Sequence, residues 1–327
     1  MTSHSPALPS RVDEAPPDHP KITAWEYVSY TMLCAVFRGL VAVVGVSGLH
    51  RLASAFGTLE WLINRKRRRR FHAALRQLGV APASNGSKHP TAPKEARATP
   101  SETRRYFVQT RYDKILFLLL DTLPPDRARS LFRFDGKAAF DEALAQGRGL
   151  YLALSHHGPH HILAIFFSLC GYPTLAVRDR HESALRRFVR WRFDRCYPDR
   201  VRPRWFYSDA FPRELYRWLR KGHVVASTMD VARVHQANRK TEEVTIFGEA
   251  RTFVSGPLRV AIRCGSPVVQ GFVTPDRRYG YRFEIVERLF DPESGETEEE
   301  AVSRAMRLYA ANVERYLRET PSLISRI

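Results

Sequence analysis

Beyond Arg104 the chain alternates between apolar runs of strand length and amphipathic stretches of helix length, and this alternation constrains the fold more than any other feature. Strands are predicted over 149–155, 173–178, 223–229, 243–247, 266–273 and 281–287, and helices over 105–120, 137–146, 161–170, 182–196, 209–221, 256–264 and 298–319. Such a series predicts an α/β layered domain whose ligands bind outside the carboxyl ends of the strands. No internal repeat is visible, and a hydrophobic content of 44% supplies a sizeable core, which excludes a disordered or fibrous chain.

The segment before Arg104 is of another kind. Residues 1–20, rich in Pro, Ser and charge, read as a disordered tail and lack the basic region of a secretory signal. Residues 28–46 are apolar except for Arg38, and as a helix they would reach about 28 Å, enough to span a bilayer or lie in its interface. Residues 49–63 read as a second, amphipathic helix, and 65–70 are six consecutive cations. A basic run beside an apolar helix suits an anionic membrane surface and places the rest of the chain on the cytoplasmic side. Residues 79–103 contain four prolines and no Leu, Ile, Met or aromatic residue, so they read as a linker or insertion. The expected organisation is thus a tail to 20, membrane-associating helices over 21–78, an insertion over 79–103 and an α/β domain over 104–327.

Charge supports an anionic partner: 52 Lys and Arg against 34 Asp and Glu leave a net +18. Residues 65–70 and 178–222 account for most of that surplus. Nucleic acid would satisfy the same charge, yet no recognition motif for it is present. Four widely separated cysteines suggest neither a disulfide framework nor a CxxC zinc site.

Four of the twelve histidines crowd into His156-His157-Gly158-Pro159-His160-His161, directly after the predicted strand 149–155. That is where an α/β domain places its chemistry. The pairs His156/His160 and His157/His161 are spaced i, i+4, as in some zinc sites, but no Glu sits among them and Pro159 interrupts the helix that would align them. A metal hydrolase is therefore the weaker reading.

The stretch Leu154-Ser-His-His-Gly-Pro-His-His-Ile-Leu-Ala164 resembles the H-x4-D/E block of the lysophospholipid acyltransferase superfamily, most closely its lipid A late acyltransferase branch. Further matches follow in order: Arg178 after the second strand, Arg190-Trp-Arg192, the Lys221-Gly…Asp230 block, Ile246-Phe-Gly248, Gly256-Pro257 and Gly265-Ser-Pro-Val-Val269. The resemblance runs from about residue 22 to 316, outside the insertion. It implies a mixed, mostly parallel sheet flanked by helices. It also implies transfer of a fatty acyl chain from acyl-ACP or acyl-CoA to a lipid A-like glycolipid or related lipid, with no cofactor or metal beyond the thioester.

In that family the motif histidine is the general base, here His156, and an imidazole suits the role because its ordinary pKa lies near neutrality. The resemblance makes Arg178, Arg190, Arg192, Gly158, Phe247 and Gly248 substrate-binding candidates, with the arginines suited to phosphate or oxyanion charge. The sequence departs from the motif at His161, which stands where the family has Asp or Glu. A neutral imidazole cannot stabilise the imidazolium that forms when His156 takes a proton. Asp230 or another carboxylate is expected to do so. The alternatives are that His161 serves as a slower partner or that the crevice binds lipid or acyl carrier without turnover.

Overall fold

The structure, a computed structural model, describes residues 22–77, 99–178, 183–196, 203–207, 212–230, 240–276 and 279–324. The expected N-terminal tail and most of the expected insertion lie outside them. The chain opens with two helices, α1 (Ala24–Ile63) and α2 (Arg65–Gln77), followed by α3 (Pro100–Leu119) and α4 (Pro125–Ser130). There follow β1 (Phe132–Asp135), α5 (Lys137–Ala145), β2 (Leu150–Leu154), α6 (Leu163–Cys170), β3 (Thr174–Arg178), α7 (Ala184–Cys196), β4 (Arg204–Tyr207), α8 (Arg213–Arg220) and β5 (Val224–Thr228). The hairpin β6 (Thr241–Ile246) and β7 (Glu249–Val254) precedes α9 (Gly256–Arg263), β8 (Val268–Pro275), β9 (Tyr281–Phe290) and α10 (Glu298–Glu319).

Seven strands form one sheet in the order β1-β9-β8-β2-β5-β3-β4. All neighbours are parallel except β8 and β9, so the sheet is mixed and mostly parallel, with helices on both faces. Strand β2 sits at its centre between β5 and β8, and its sequence Leu-Tyr-Leu-Ala-Leu is buried throughout, as a strand covered on both faces must be. Side-chain alternation along β2 divides the core: Leu150, Leu152 and Leu154 join one layer with α3, α5, α6 and α7, while Tyr151 and Ala153 join another with α8, α9 and α10.

Several predicted boundaries move for local reasons. The two predicted N-terminal helices run on as one forty-residue segment, kinked at Gly45 a few residues before the predicted break, where a φ of 68° is one that only glycine adopts without strain. Helix α3 starts within the expected insertion, because Thr99 caps it by accepting from the Glu102 N–H at 3.1 Å and Pro100 fits its first turn. Strands β1, β4 and β7, each four to six residues, are additions to the predicted series. The turn Phe247-Gly248 has φ of 53° and 79°, the two left-handed residues of a tight hairpin.

The buried positions of α1, Cys34, Val41, Leu49, Ala53 and Gly57, form a narrow stripe that packs on α3 and α7. A Cβ at Gly57 would lie 2.5 Å from the Val108 Cα, so this crossing needs glycine. Outside the stripe α1 is bare. Every large apolar side chain left exposed among the described residues belongs to it, from Trp25 at 77% and Val43 at 84% exposure to Ile63 at 71%. It is also the one described helix long and apolar enough to cross a membrane.

Candidate active site

The register of two central strands assembles the site. Leu154 of β2 lies opposite Thr228 of β5, so two residues further on His156 meets Asp230 at the carboxyl end of the sheet. Asp230 grips His156 twice: Oδ2 accepts the His156 backbone N–H at 2.7 Å, and Oδ1 lies 2.8 Å from the ring Nδ1. A carboxylate only accepts, so the shared hydrogen is on Nδ1 and the lone pair of the neutral ring is on Nε2. The two side chains are 18% and 14% exposed, sheltered but within reach of a ligand. The Tyr309 hydroxyl donates to the Leu154 carbonyl at 2.7 Å and fastens the end of β2 to α10.

The other three histidines have different surroundings. His157 points into the protein, where its Nε2 lies 3.1 Å from both the carbonyl and the hydroxyl of Thr320, and its ring lies edge-on to Phe272 and Tyr316. Burial pushes its pKa down to about 4, against the opposing pull of the Thr320 carbonyl and Asp230. The His160 ring stands edge-on to His156 at 5.0 Å, and burial, with His156 and His161 beside it, holds His160 well below the ordinary imidazole value. His161 lies edge-on to Phe117 at 4.9 Å and is pushed down to about 3 by burial, Arg186 and Lys114. Its Nδ1 is buried without a hydrogen-bond partner. The carboxylate beside His156 is thus Asp230, and His161 is not its hydrogen-bonding partner. His156 and His160 do lie side by side, but among the described residues no three His, Cys, Asp or Glu side chains are arranged to hold a metal ion.

Gly158 is required by the backbone. Its φ is 71°, its N–H donates to the Leu323 carbonyl at 2.6 Å, and a Cβ there would sit 1.8 Å from the Val273 carbonyl oxygen. Phe247 and Gly248 form the β6–β7 turn, tied to α10 by the Phe247 N–H donating to Glu314 at 2.7 Å and by Arg318 over the Phe247 ring. All three residues thus have structural duties of their own.

The expected arginines divide. Arg178 ends β3 and lies 4.9 Å over the Trp205 ring, and the buried Arg190 of α7 approaches the same ring at 5.8 Å. Trp205 thus gathers two guanidiniums at the strand ends. Arg192 instead bonds the Leu118 carbonyl and the Cys34 sulfur, joining α7 to α3 and α1. The segment Thr320–Ile324, which clamps the His157-Gly158 turn, carries no sequence signal of that role: its contacts are mostly to backbone atoms, which any residue provides.

A mostly parallel α/β layer with an imidazole–carboxylate dyad at the ends of adjacent central strands defines the class of protein. The chain belongs to the bacterial lipid A biosynthesis acyltransferases: the model of that family matches residues 102–322, about two thirds of the sequence, from within α3 to the Thr320–Ile324 segment. Comparison with curated proteins found no match. The family is one of acyltransferases, acting through an acyl donor on a lipid-like acceptor.

Proposed function

We propose that the protein moves a fatty acyl chain from acyl-ACP or acyl-CoA to a hydroxyl or amine of a glycolipid or related lipid, with His156 as general base. The observation that carries this reading is the double contact of Asp230 with His156, which sets both the position and the tautomer of the ring. Nε2 takes the proton from the acceptor as its oxygen or nitrogen attacks the thioester carbonyl. Asp230 stabilises the imidazolium so formed, and collapse of the tetrahedral intermediate expels the thiolate, to which the imidazolium returns the proton. Arg178 and Arg190 are suited to phosphate groups or to the developing oxyanion.

The same reading places the protein on the cytoplasmic face of the inner membrane. Contacts of α1 with the body run from Glu26, paired with Arg187 at 2.6 Å, to Glu60, paired with Arg111 at 2.6 Å. A helix held along its whole length favours lying in the interface over crossing alone. Its bare apolar face would enter the membrane, and the exposed Arg65, Lys66, Arg69 and Arg70 would meet anionic headgroups, while Arg67 is turned inward to Glu60.

The test is lipid mass spectrometry on cells lacking the gene and complemented with wild type or His156→Ala. Acylated lipid is expected to return only with wild type. A wild-type profile restored by His156→Ala would refute the mechanism.

A further inference from the structure

The backbone on either side of His156 is held by one helix and the turn that leaves it. Two residues before His156, the Leu154 carbonyl accepts the hydroxyl of Tyr309, on α10, at 2.7 Å. Just after it, His157 Nε2 lies 3.1 Å from both the carbonyl and the hydroxyl of Thr320, the residue that closes α10. The Gly158 N–H then donates to the Leu323 carbonyl at 2.6 Å. On the other strand, the Met229 N–H donates to the same Leu154 carbonyl at 3.2 Å, and Asp230 follows directly. That one oxygen is the last backbone tie between β2 and β5 before the dyad, and Tyr309 is a second donor brought to it from outside the sheet.

Tyr309 has a fixed place. It is 0% exposed, its ring stands edge-on to Phe253 at 6.0 Å, and its own carbonyl takes Gln270 Nε2 of β8 at 3.2 Å. Asn312 in turn donates to Gln270 at 2.9 Å. Burial, with Asp230 and Tyr151 nearby, holds the phenol well above its ordinary pKa, so the hydroxyl stays a donor. The fold needs this hydroxyl less than the dyad does. Without it the Leu154 carbonyl still has the Met229 N–H, so no buried acceptor is left without a partner. What goes is the outside restraint on the point from which His156 and Asp230 both extend, and a 2.8 Å contact at Nδ1 tolerates little drift.

We propose that Tyr309 is a positioning residue of acyl transfer: its hydroxyl sets the separation of the two strand ends, and so the His156–Asp230 contact, while Thr320 and Leu323 hold the turn beyond. This rests on His156 being the base. Helix α10 thus frames the dyad from behind, and the phenol acts on the reaction only through the backbone of Leu154.

Tyr309→Phe removes the hydroxyl and keeps the ring. Two readings are made on the full-length protein: the tautomer of His156, from ring-nitrogen NMR of labelled histidine assigned with His156→Gln, and steady-state transfer from a radiolabelled acyl thioester. Tyr309→Phe should lower the ratio of Nδ1–H to Nε2–H forms at least about threefold and kcat about tenfold, with KM unchanged within about twofold. Thr320→Val, which leaves the Thr320 carbonyl on His157, should move both readings in the same direction by less. Tyr151→Phe is the matched control: its hydroxyl, on a residue 0% exposed, meets the Ser227 side chain at 2.6 Å between the same two strands but away from their ends. Both readings should there stay at wild-type values. An unchanged tautomer ratio and kcat in Tyr309→Phe, an equal loss in Tyr151→Phe, or a loss expressed in KM alone would each overturn the proposal. So would a Tyr309→Phe chain that fails to fold, because the retained Met229 N–H is expected to keep β2 and β5 together, and an unaltered Thr320→Val would then remove the frame as well. If wild type transfers no more acyl chain than His156→Ala, the catalytic reading fails, while the tautomer ratio still decides whether Tyr309 sets the His156–Asp230 contact.

Discussion

Asp230→Asn tests the dyad most directly, because it keeps the shape of the side chain and changes only its charge and donors. In the native site one carboxylate oxygen takes the His156 backbone N–H and the other faces Nδ1. The amide has a single oxygen. If that oxygen keeps the backbone N–H, the NH2 group faces Nδ1 and forces the ring hydrogen onto Nε2, the atom that must accept a proton. The imidazolium formed in the reaction also loses its counter-charge. For charge centres about 4 Å apart at an effective dielectric of about 20, that attraction is about 4 kcal/mol, or roughly 10³-fold in rate. Adding the tautomer penalty, kcat should fall about 10³- to 10⁴-fold with KM little changed. The assay is single-turnover transfer from a radiolabelled acyl thioester, with folding checked by circular dichroism. A rate for Asp230→Asn within about threefold of wild type, in a folded protein, would refute the argument that Asp230 orients and stabilises the base.

Other outcomes follow from single side chains. Because His157 is 2% exposed and pushed down to about 4, the unfolded chain binds a proton below pH 6.5 that the folded one refuses. Its contribution is intact above pH 6.5 and is lost as pH falls towards 4, by about 2 kcal/mol at pH 5. Urea unfolding at pH 7 and 5 should show a smaller acid loss for His157→Gln than for wild type, and equal losses would contradict the assignment. Gly158→Ala should destabilise the fold by about 3 kcal/mol or more, since its Cβ would strike the Val273 carbonyl, and a thermal melt unchanged by the substitution would disprove that close approach. Replacing Arg65, Lys66, Arg69 and Arg70 by Ser should weaken binding to anionic vesicles by about 1 kcal/mol per residue, with little effect on neutral vesicles. Flotation assays at low and high salt would expose the opposite result, a loss independent of lipid charge.

The alternation beyond Arg104 was enough to place every central strand, because β2, β5 and β8 are almost wholly buried and open on apolar residues, with only a few small or polar ones such as Ser227 and Gln270 inside them. Short or amphipathic peripheral strands carry a weaker signal. Arg-Trp-Phe-Tyr of β4 and Phe-Arg-Phe-Asp of β1 are too short for period-two alternation to stand out from a loop. The break between the two predicted N-terminal helices was legible at about residues 47–48, but its exact place at Gly45 was not, since a glycine inside an apolar helix is tolerated as often as it interrupts one.

The candidate site was legible in proportion to how far each role depends on residue type. An imidazole at a strand end must be His, and its partner must be a carboxylate, so His156 and Asp230 both stand out in the sequence. What brings them together is the register between β2 and β5, 74 residues apart, which no local spacing encodes. The same gap explains the arginines. Arg190 and Arg192 share a motif, yet neighbours two apart on a helix face different ways, so one meets Trp205 while the other ties α7 to the Leu118 carbonyl. His161 shows the converse. Its departure from the motif was plain in the sequence, but its consequence depends on a lysine 47 residues earlier in α3 and an arginine 25 residues later in α7. A carboxylate supplied by Asp230 from a neighbouring strand stands where it can pair with His156, so the residue at position 161 need not be acidic for His156 to have a carboxylate partner.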